Sequence, residues 1–492
     1  MTAKTNPEAV VEKLPTELLI GGDRVSRSSG GTHDHVYPAT GLPNATIEIA
    51  GEAEIDRAVK SAREAQREWM SFTSERRRDL MNGLADAMKA DTDRLAQLNV
   101  HDYAVPIVES PYHVGFAEGY IRYYAGFVDK AHGSSTPVSN RFDLNLIERE
   151  PYGVVGVIAP WNGPLVTVGL IVAPALAAGN AVVLKPSEIS PFTSLRFGEI
   201  CIEAGLPVGL VNVLPAGPEG GAALVRHPGV GKIHFTGGGT TARKIITSAA
   251  TSLTPVATEL GGKSAALVFG DADLDAAAEM AAFQGPLRQS GQSCACSSRI
   301  LVQDNIYDAF LERFLGVVKS VKIGDPFDPA VFVGPVVSQA ATDRILGVID
   351  QAVDHKMGVL VAGGNRLTGD LADGYYIEPT VFSDVDNTSP LATVETFGPV
   401  VSVMRFSDEA EAVALANDTI YGLNAFVQTK DLTRAHRVAR SLEAGSVWVN
   451  RGSEMTPQSP YGGYKQSGVG RAGGIEGLHE FQQVKNIRIG MD

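Results

Sequence analysis

Residues 232–242 read Lys232-Ile-His-Phe-Thr-Gly-Gly-Gly-Thr-Thr-Ala242. A short β-rich run, Lys232–Phe235, is followed by Gly237-Gly-Gly239-Thr-Thr-Ala242, which fits G-x-G-x-x-G/A and opens a helical pattern. Strand, glycine turn and helix in that order are the start of a βαβ unit. The glycines let backbone approach a pyrophosphate, and the helix N-terminus offers free N–H groups with a positive dipole end. Working outward, further β-rich runs lie at Gly153–Ala159, Ala181–Leu184, Leu210–Leu214 and Val256–Glu259, with helix-length segments between them. This alternation predicts an α/β fold with a parallel sheet. A second alternation runs from about Ser264 to Asn450, with β-rich runs at Ala265–Phe269, Arg299–Val302, Val400–Phe406 and Ser446–Asn450. It predicts a second α/β domain, with the boundary near Gly261-Gly262. Ahead of both, Ile55, Ala58, Val59, Ala62, Ala65 and Trp69 recur at helical spacing and predict an amphipathic helix over Glu52–Met70. Helical patterning continues from Ser74 to about Leu98. Residues 129–150 are a polar excursion, and with Val484–Ile489 they are expected to form strands outside both domains.

The chain has 492 residues, enough for two to four domains without a disulfide or metal staple. With 42 Lys+Arg against 56 Asp+Glu, the formal net charge is −14, which argues against a nucleic-acid or anionic-membrane binder. Three cysteines, Cys201, Cys294 and Cys296, make no disulfide framework and point to a reducing, cytoplasmic setting. The polar stretch Met1–Pro15 has no secretory-signal pattern. Residues 151–184 carry no charge, but Pro160, Asn162, Pro164, Pro174, Gly179 and Asn180 interrupt them. The apolar part, Leu165–Ala178, suits a buried core helix rather than a membrane span.

Four groups of residues are candidates for chemistry. Besides the glycine turn, Cys294 lies in a polar small-residue turn, Gly291-Gln-Ser-Cys294-Ala-Cys296, as a nucleophilic thiol does. Glu259 ends a β run before two glycines, and Asn162 follows another in Pro160-Trp161-Asn162, where its amide can face a developing oxyanion. Each alone has an ordinary reading: a glycine turn, an inert buried thiol, a surface carboxylate, a turn asparagine. Cys201 falls in a helical pattern and reads as core. The ten histidines are scattered, and no metal-ligand spacing appears, so no metal is expected.

Taken together, the motifs resemble the aldehyde dehydrogenase superfamily. They are Pro160-Trp-Asn162, Lys185-Pro-Ser-Glu188, Phe235-Thr-Gly237, Glu259-Leu-Gly-Gly-Lys-Ser264, Gly291-Gln-x-Cys294 with Ser298-Arg299, Glu395-x-Phe-Gly-Pro399, and Pro460-Tyr-Gly-Gly-Tyr-Lys465 with Ser467-Gly468. They follow one another in the family's order. The resemblance implies an aldehyde dehydrogenase-like α/β fold. A Rossmann-like NAD domain would take residues 1–128 and 151–260, a catalytic domain 261–460, and a small β oligomerisation element 129–150 and 475–492. It implies NAD as cofactor, a small-molecule aldehyde as substrate, no nucleic-acid or membrane partner, and a homodimer or homotetramer. Cys294 matches the nucleophile and Glu259 the general base. Asn162, with the Cys294 backbone N–H, matches the oxyanion hole. Lys185 and Glu188 match the holders of the adenosine ribose, and Glu395 that of the nicotinamide ribose. Pro160, Trp161, Gly237, Gly238, Leu260 and Phe397 would line the same cofactor site. The generic fingerprint would have given Glu259, about 20 residues past the glycine turn, to a ribose; the resemblance gives that role to Glu188.

The chain also departs from the family pattern. Gly238 and Gly239 stand where Ser or Thr is usual, and Ala242 stands for a glycine. Ile171 and Ala472 occupy positions where some members carry a Lys and a Glu that relay protons to the base, so Glu259 is expected to exchange its proton with water by another route. Around the substrate, the expected pocket residues are Gly163, Thr167, Leu170, Arg288 and Met455. Gly163 and Leu170 replace aromatic residues, which predicts a bulky or aromatic aldehyde. Arg288 is expected to face solvent at the tunnel mouth, with a substrate carboxylate as its alternative partner. Two further alternatives are acylation of coenzyme A, against which the Glu-Leu-Gly-Gly base argues, and a catalytically silent structural member, against which intact Cys294, Asn162 and Glu259 argue.

Overall fold

The strand that begins at Lys232 runs to Gly237 and pairs in parallel on both sides, with Ile233 opposite Gly156 in one neighbour and Val256 in the other. It belongs to an eight-stranded sheet in the computed structural model, which describes residues 13–130 and 133–490. Most of the polar N-terminal stretch Met1–Pro15 lies outside the described residues. The sheet's parallel strands are Val154–Ile158, Ala181–Lys185, Val211–Val213, Lys232–Gly237 and Val256–Leu260. Numbered along the chain, they lie in space as 3-2-1-4-5. The order reverses between Val154–Ile158 and Lys232–Gly237. In doubly wound sheets a ligand cleft opens beyond the carboxyl ends of the strands at that point. Leu18–Ile20 and Gly468–Val469 add antiparallel at the two sides. Helices cover both faces, so Val154–Ile158 and Ala181–Lys185 are buried at every position and read as continuous apolar runs. The helix Glu52–Ser71 buries the six apolar residues its spacing singled out, and Trp69 Nε1 donates to the Leu176 carbonyl at 3.0 Å.

The charge-free stretch is buried, as expected, but it is not one α-helix. Pro164–Thr167 is α-helical, Val168–Val172 is a π-helical turn, and Ala173–Ala177 returns to α. Ala173 N–H donates to the carbonyl of Val168, five residues back. Pro174 has no N–H to give the Leu170 carbonyl, so the regular ladder is already broken here and an extra residue costs little. The helical patterning after Ser74 likewise divides into Ser74–Ala90 and Thr92–Tyr103. Between them the Asp91 carboxylate accepts Arg196 Nε at 2.8 Å.

The second sheet has seven strands. Ser264–Val268 lies between Ser297–Gln303 and Asn424–Gln428, parallel to both. Thr380–Ser383 and Asn424–Gln428 are strands that the sequence reading did not pick out. A third, antiparallel sheet holds Ser134–Ser135, Leu144–Pro151 and Gln482–Ile489, the last two in unbroken register from Gln482↔Pro151 to Ile489↔Leu144. Leu478 and Phe481, just before that strand, pack into the core of the first sheet instead.

Candidate active site

Two sheets meet at one short link. Val256–Leu260 ends the parallel part of the first sheet, and after Gly261–Lys263 the chain enters the second sheet at Ser264. Ser264 pairs with Ser297, so the loop carrying Cys294 lies beside this link, with the Cys294 carbonyl 3.6 Å from where a Cβ on Gly262 would stand. The link is glycine for want of space: a Cβ on Gly261 would stand 2.0 Å from Oε2 of Glu395. Gly262 N–H donates to Oε1 of the same carboxylate at 2.9 Å. Three distant segments, around Glu259, Cys294 and Glu395, are thereby drawn into one place.

The loop before Cys294 is strained. Gln289 and Ser290, at φ 47° and 54°, adopt left-handed backbone, as does Gly291 at 68°. For non-glycine residues this costs about 1–2 kcal/mol each. Buried side chains hold the strain in place. Ser290 Oγ donates to the Gly334 carbonyl at 2.6 Å, and Gln292 Oε1 accepts Val337 N–H at 2.9 Å. A Cβ on Gly291 would stand 2.0 Å from the Gly398 carbonyl oxygen, so the loop presses directly on the Glu395–Pro399 segment.

A cavity of about 780 Å³ opens at the point where the strand order reverses. Pro160, Trp161 and Asn162 line it from one strand end, Gly237 and Gly238 from the next, and Lys185 and Glu188 from a third. Glu259, Leu260, Cys294, Glu395 and Phe397 line it as well. All twelve residues expected from sequence in catalytic or cofactor roles thus border one space. The helix Gly239–Ala249 starts beside it and lines it along one flank with Thr241, Lys244, Ile245 and Ser248, and the ring of Trp161 stands edge-on to Phe397 with centroids 5.6 Å apart. Lys185 Nζ lies 3.7 Å from Glu188 Oε2. Among the described residues, no group of three or more His, Cys, Asp or Glu side chains is placed to hold a metal ion. No helix there is long and apolar enough to cross a membrane.

The electrostatics of the reacting end are set by burial. Both carboxylate oxygens of Glu259 are buried without a hydrogen-bond partner. Desolvation pushes this carboxyl up to about 8; Glu395 adds to the rise, while the nearby Cys294 thiol and Arg471 oppose it. Burial also pushes the Cys294 thiol well above the ordinary cysteine range, with the Glu259 charge adding to the effect. At rest the pair is therefore a neutral thiol beside a largely protonated acid at pH 7. Cys296 is buried, does not line the cavity, and is pushed up to about 11 by desolvation. Asn162 Nδ2 donates to the Gln292 carbonyl at 2.9 Å, which fixes the amide beside the cysteine loop and leaves it a second N–H.

On the substrate side, Leu170 is buried in the π-helical turn, and Thr167 turns its hydroxyl back to the Gly163 carbonyl at 3.1 Å. A Cβ on Gly163 would meet only Val166, at 3.2 Å. Met455, Trp448 and Cys294 are each partly buried against the apolar cluster that holds Leu170. Arg288 differs from its expected place in solvent. It is half-buried, and its Nη1 donates to Ser453 Oγ at 2.6 Å because the loop around Ser453 folds down over Gln284.

A family model described as the aldehyde dehydrogenase family matches residues 25–487. The chain belongs to the aldehyde dehydrogenase family. Solved structures agree at high similarity. A Burkholderia cenocepacia protein described as a candidate aldehyde dehydrogenase superposes with a TM-score of 0.95 at 41% identity, covering 98% of each chain. PnpE from Pseudomonas sp. WBC-3 gives 0.94 at 40% identity, over 97% of this chain and 98% of its own. Betaine aldehyde dehydrogenase from Staphylococcus aureus, in complex with NAD+, gives 0.94 at 37% identity, over 97% of this chain and 96% of its own.

In this aldehyde dehydrogenase, the sequence reading missed three features of the site. Tyr461 comes within 3.8 Å of Cys294 Sγ, and Asn424 within 3.3 Å of the Tyr461 hydroxyl, through tertiary packing alone. Tyr461 lies inside the quoted Pro460-Tyr-Gly-Gly motif, but nothing in the spacing says that its hydroxyl faces the sulfur. The third feature is an aromatic pair. Phe116 and Tyr120, stacked with centroids 4.4 Å apart on the helix Ser110–Ala125, press against the π-helical turn. A Cβ on Gly169 would lie 3.1 Å from the Phe116 ring, so glycine there is what lets the rings approach.

Proposed function

We propose that the protein oxidises a bulky or aromatic aldehyde to its carboxylic acid with NAD, through a covalent intermediate on Cys294. One observation carries the reading: a single cavity joins a nucleotide-sized cleft to a thiol, an amide and a partnerless buried carboxylate. The cleft suits the cofactor. Its glycine turn is open, with nothing within 4 Å of a Cβ on Gly238, and Glu188 and Glu395 offer carboxylates for ribose hydroxyls. Cys294 Sγ attacks the carbonyl carbon, and the oxyanion takes hydrogen bonds from the Asn162 amide and the Cys294 N–H. NAD, when bound, supplies the acceptor for the hydride that the tetrahedral carbon gives up, leaving a thioester on Cys294. Glu259, as carboxylate, takes a proton from the water that hydrolyses it. Ile171 and Ala472 are both buried and offer no proton path, so Glu259 returns its proton through cavity water. The test is NADH absorbance on mixing with NAD and an aldehyde panel, repeated with coenzyme A. Activity that depends on coenzyme A would assign acylation instead, and none on any aldehyde would assign a silent member of the fold.

Size preference is read from the same panel. The kcat/KM for benzaldehyde and hexanal is expected to exceed that for acetaldehyde, because Gly163 and Leu170 stand where aromatic side chains are usual in the family, and a wider approach there would cost a two-carbon substrate its positioning. Acetaldehyde as the best substrate overturns this. A second reading rests on Arg288: its guanidinium, held by Ser453, is half-buried instead of free in solvent, and suits a substrate carboxylate. A large loss confined to succinate semialdehyde in Arg288→Ala selects that reading; an equal loss on all aldehydes rejects it.

NAD is expected over NADP. Glu188 borders the cleft and would repel a 2′-phosphate, and the nearby Lys185 already faces Glu188 at 3.7 Å. The ratio of kcat/KM for the two cofactors decides, and a ratio favouring NADP refutes the assignment.

We place the enzyme in the cytoplasm, since its three cysteines are unpaired, and expect a homodimer or homotetramer. In the three-stranded sheet, Gln482–Ile489 pairs on one side only among the described residues, with Val484 60% and Ile489 46% exposed. Such an edge recruits another strand. Light scattering at micromolar concentration is expected to give at least twice the chain mass; a stable monomer counts against it.

A further inference from the structure

We propose that the Tyr461 hydroxyl donates a hydrogen bond to the Cys294 sulfur and stabilises it as the thiolate that attacks and later leaves. Tyr461 is buried, and its backbone is fixed by paired hydrogen bonds with Ala472, at 2.6 and 2.8 Å. This sets its hydroxyl 3.8 Å from Cys294 Sγ. The direction of the bond follows from the third partner. Asn424 Nδ2, at the start of the strand Asn424–Gln428, lies 3.3 Å from the same hydroxyl. An amide nitrogen only donates, so the tyrosine oxygen accepts from Asn424 and its own proton is free for the sulfur. Burial holds the phenol far above its ordinary range, so it stays protonated and acts as a donor at every working pH.

The energetic sense is also determined. A hydrogen bond to a charged acceptor is shorter and stronger than one to a neutral acceptor, so this donor favours the thiolate over the thiol. It opposes the burial and the Glu259 charge, which favour the thiol. A separation of 3.8 Å is long for a bond to a neutral sulfur, and it shortens as charge builds there. During attack the thiol proton passes to water or to Glu259 where it is carboxylate, the S–C bond forms, and the carbonyl π pair moves to oxygen. During hydrolysis water adds to the carbon and gives a proton to the Glu259 carboxylate, the C–S bond breaks with its pair on sulfur, and the same donor receives the thiolate. Tyr461 changes neither atom nor electron count.

The inference rests on Cys294 as the nucleophile, and the test separates the two. In a Cys296→Ala background, the rate of iodoacetamide alkylation of Cys294 is followed against pH, with and without Tyr461→Phe. Phenylalanine keeps the ring and removes only the hydroxyl. Alkylation at pH 7 is expected to slow about 10-fold or more, with the midpoint of the profile moved to higher pH, kcat lowered, and NADH binding within about twofold of the parent. Asn424→Ala is expected to move the profile in the same direction by less, and it carries the test if Tyr461→Phe fails to fold by circular dichroism. An unchanged profile overturns the proposal, even if turnover falls, because loss of packing alone lowers kcat without moving the sulfur's titration. If alkylating Cys294 in the parent leaves turnover intact, it is the nucleophile assignment that fails.

Discussion

Replacing Cys294 with alanine is expected to take aldehyde-dependent NADH formation below detection, a loss of about 10⁴-fold or more, while NAD still binds with nearly its original affinity. The reason is position. Cys294 is the cysteine that borders the large cavity, while Lys185 and Glu188 are the residues matched to the adenosine ribose. Alanine removes the sulfur and changes nothing at the adenosine end, so cofactor fluorescence titration should hardly register it. Cys296→Ala is the matched control. Its thiol is buried, does not line the cavity, and is pushed up to about 11, so little of it is thiolate at neutral pH. That variant is expected to keep most of its activity. Exchanged phenotypes would mean that the other cysteine is the nucleophile and that the loop register is misread.

Glu259→Gln is expected to slow steady-state turnover about 10²–10⁴-fold, with the loss in hydrolysis of the acyl-enzyme and not in its formation. A burst of NADH close to one per active site should then appear in stopped flow, because the cysteine is acylated once and released slowly. Wild-type steady-state turnover would remove Glu259 from the mechanism. The pH dependence follows from the same burial. Since desolvation raises the Glu259 carboxyl to about 8, only about a tenth is carboxylate at pH 7. The parent's kcat should therefore climb up to about tenfold for each pH unit below 8 and level off above it, and Glu259→Gln should lack this limb. Stability runs the other way. A carboxyl whose folded value lies above its unfolded one destabilises the fold progressively from about pH 4.5 up to about 8, since the unfolded chain ionises first. Glutamine is neutral throughout, so the melting temperature of Glu259→Gln at pH 8 should be no lower than the parent's.

Much of the fold was legible because its strands are buried on both faces. Val154–Ile158 and Ala181–Lys185 stand out as short apolar runs for that reason, and the helix Glu52–Ser71 because one face alone is buried. Thr380–Ser383 and Asn424–Gln428 were not legible. Asn424 stands at the head of its strand, and Thr380–Ser383 is four residues long, too short to show a period. The π-helical turn was hidden because a charge-free run looks helical whatever its hydrogen-bond ladder; the displaced bond from Ala173 to Val168 exists only in three dimensions.

The site divides along the same line. By itself, the sequence determined which chemical groups are present and near which strand ends they lie. A glycine turn after Phe235, a carboxyl ending the run at Glu259 and a cysteine in a small-residue loop are local facts, written in neighbouring residues. Only the tertiary structure decided how those groups behave. Gly261 and Gly262 let Glu395 approach the link between the sheets, and the left-handed Gln289 and Ser290 aim the cysteine loop. Packing strips water from Glu259 and raises its carboxyl, brings the Tyr461 hydroxyl to the sulfur, and turns Arg288 from solvent onto Ser453. Desolvation and hydrogen-bond direction depend on atoms far apart in the chain, 167 residues for Cys294 and Tyr461, and no local pattern of residues encodes them.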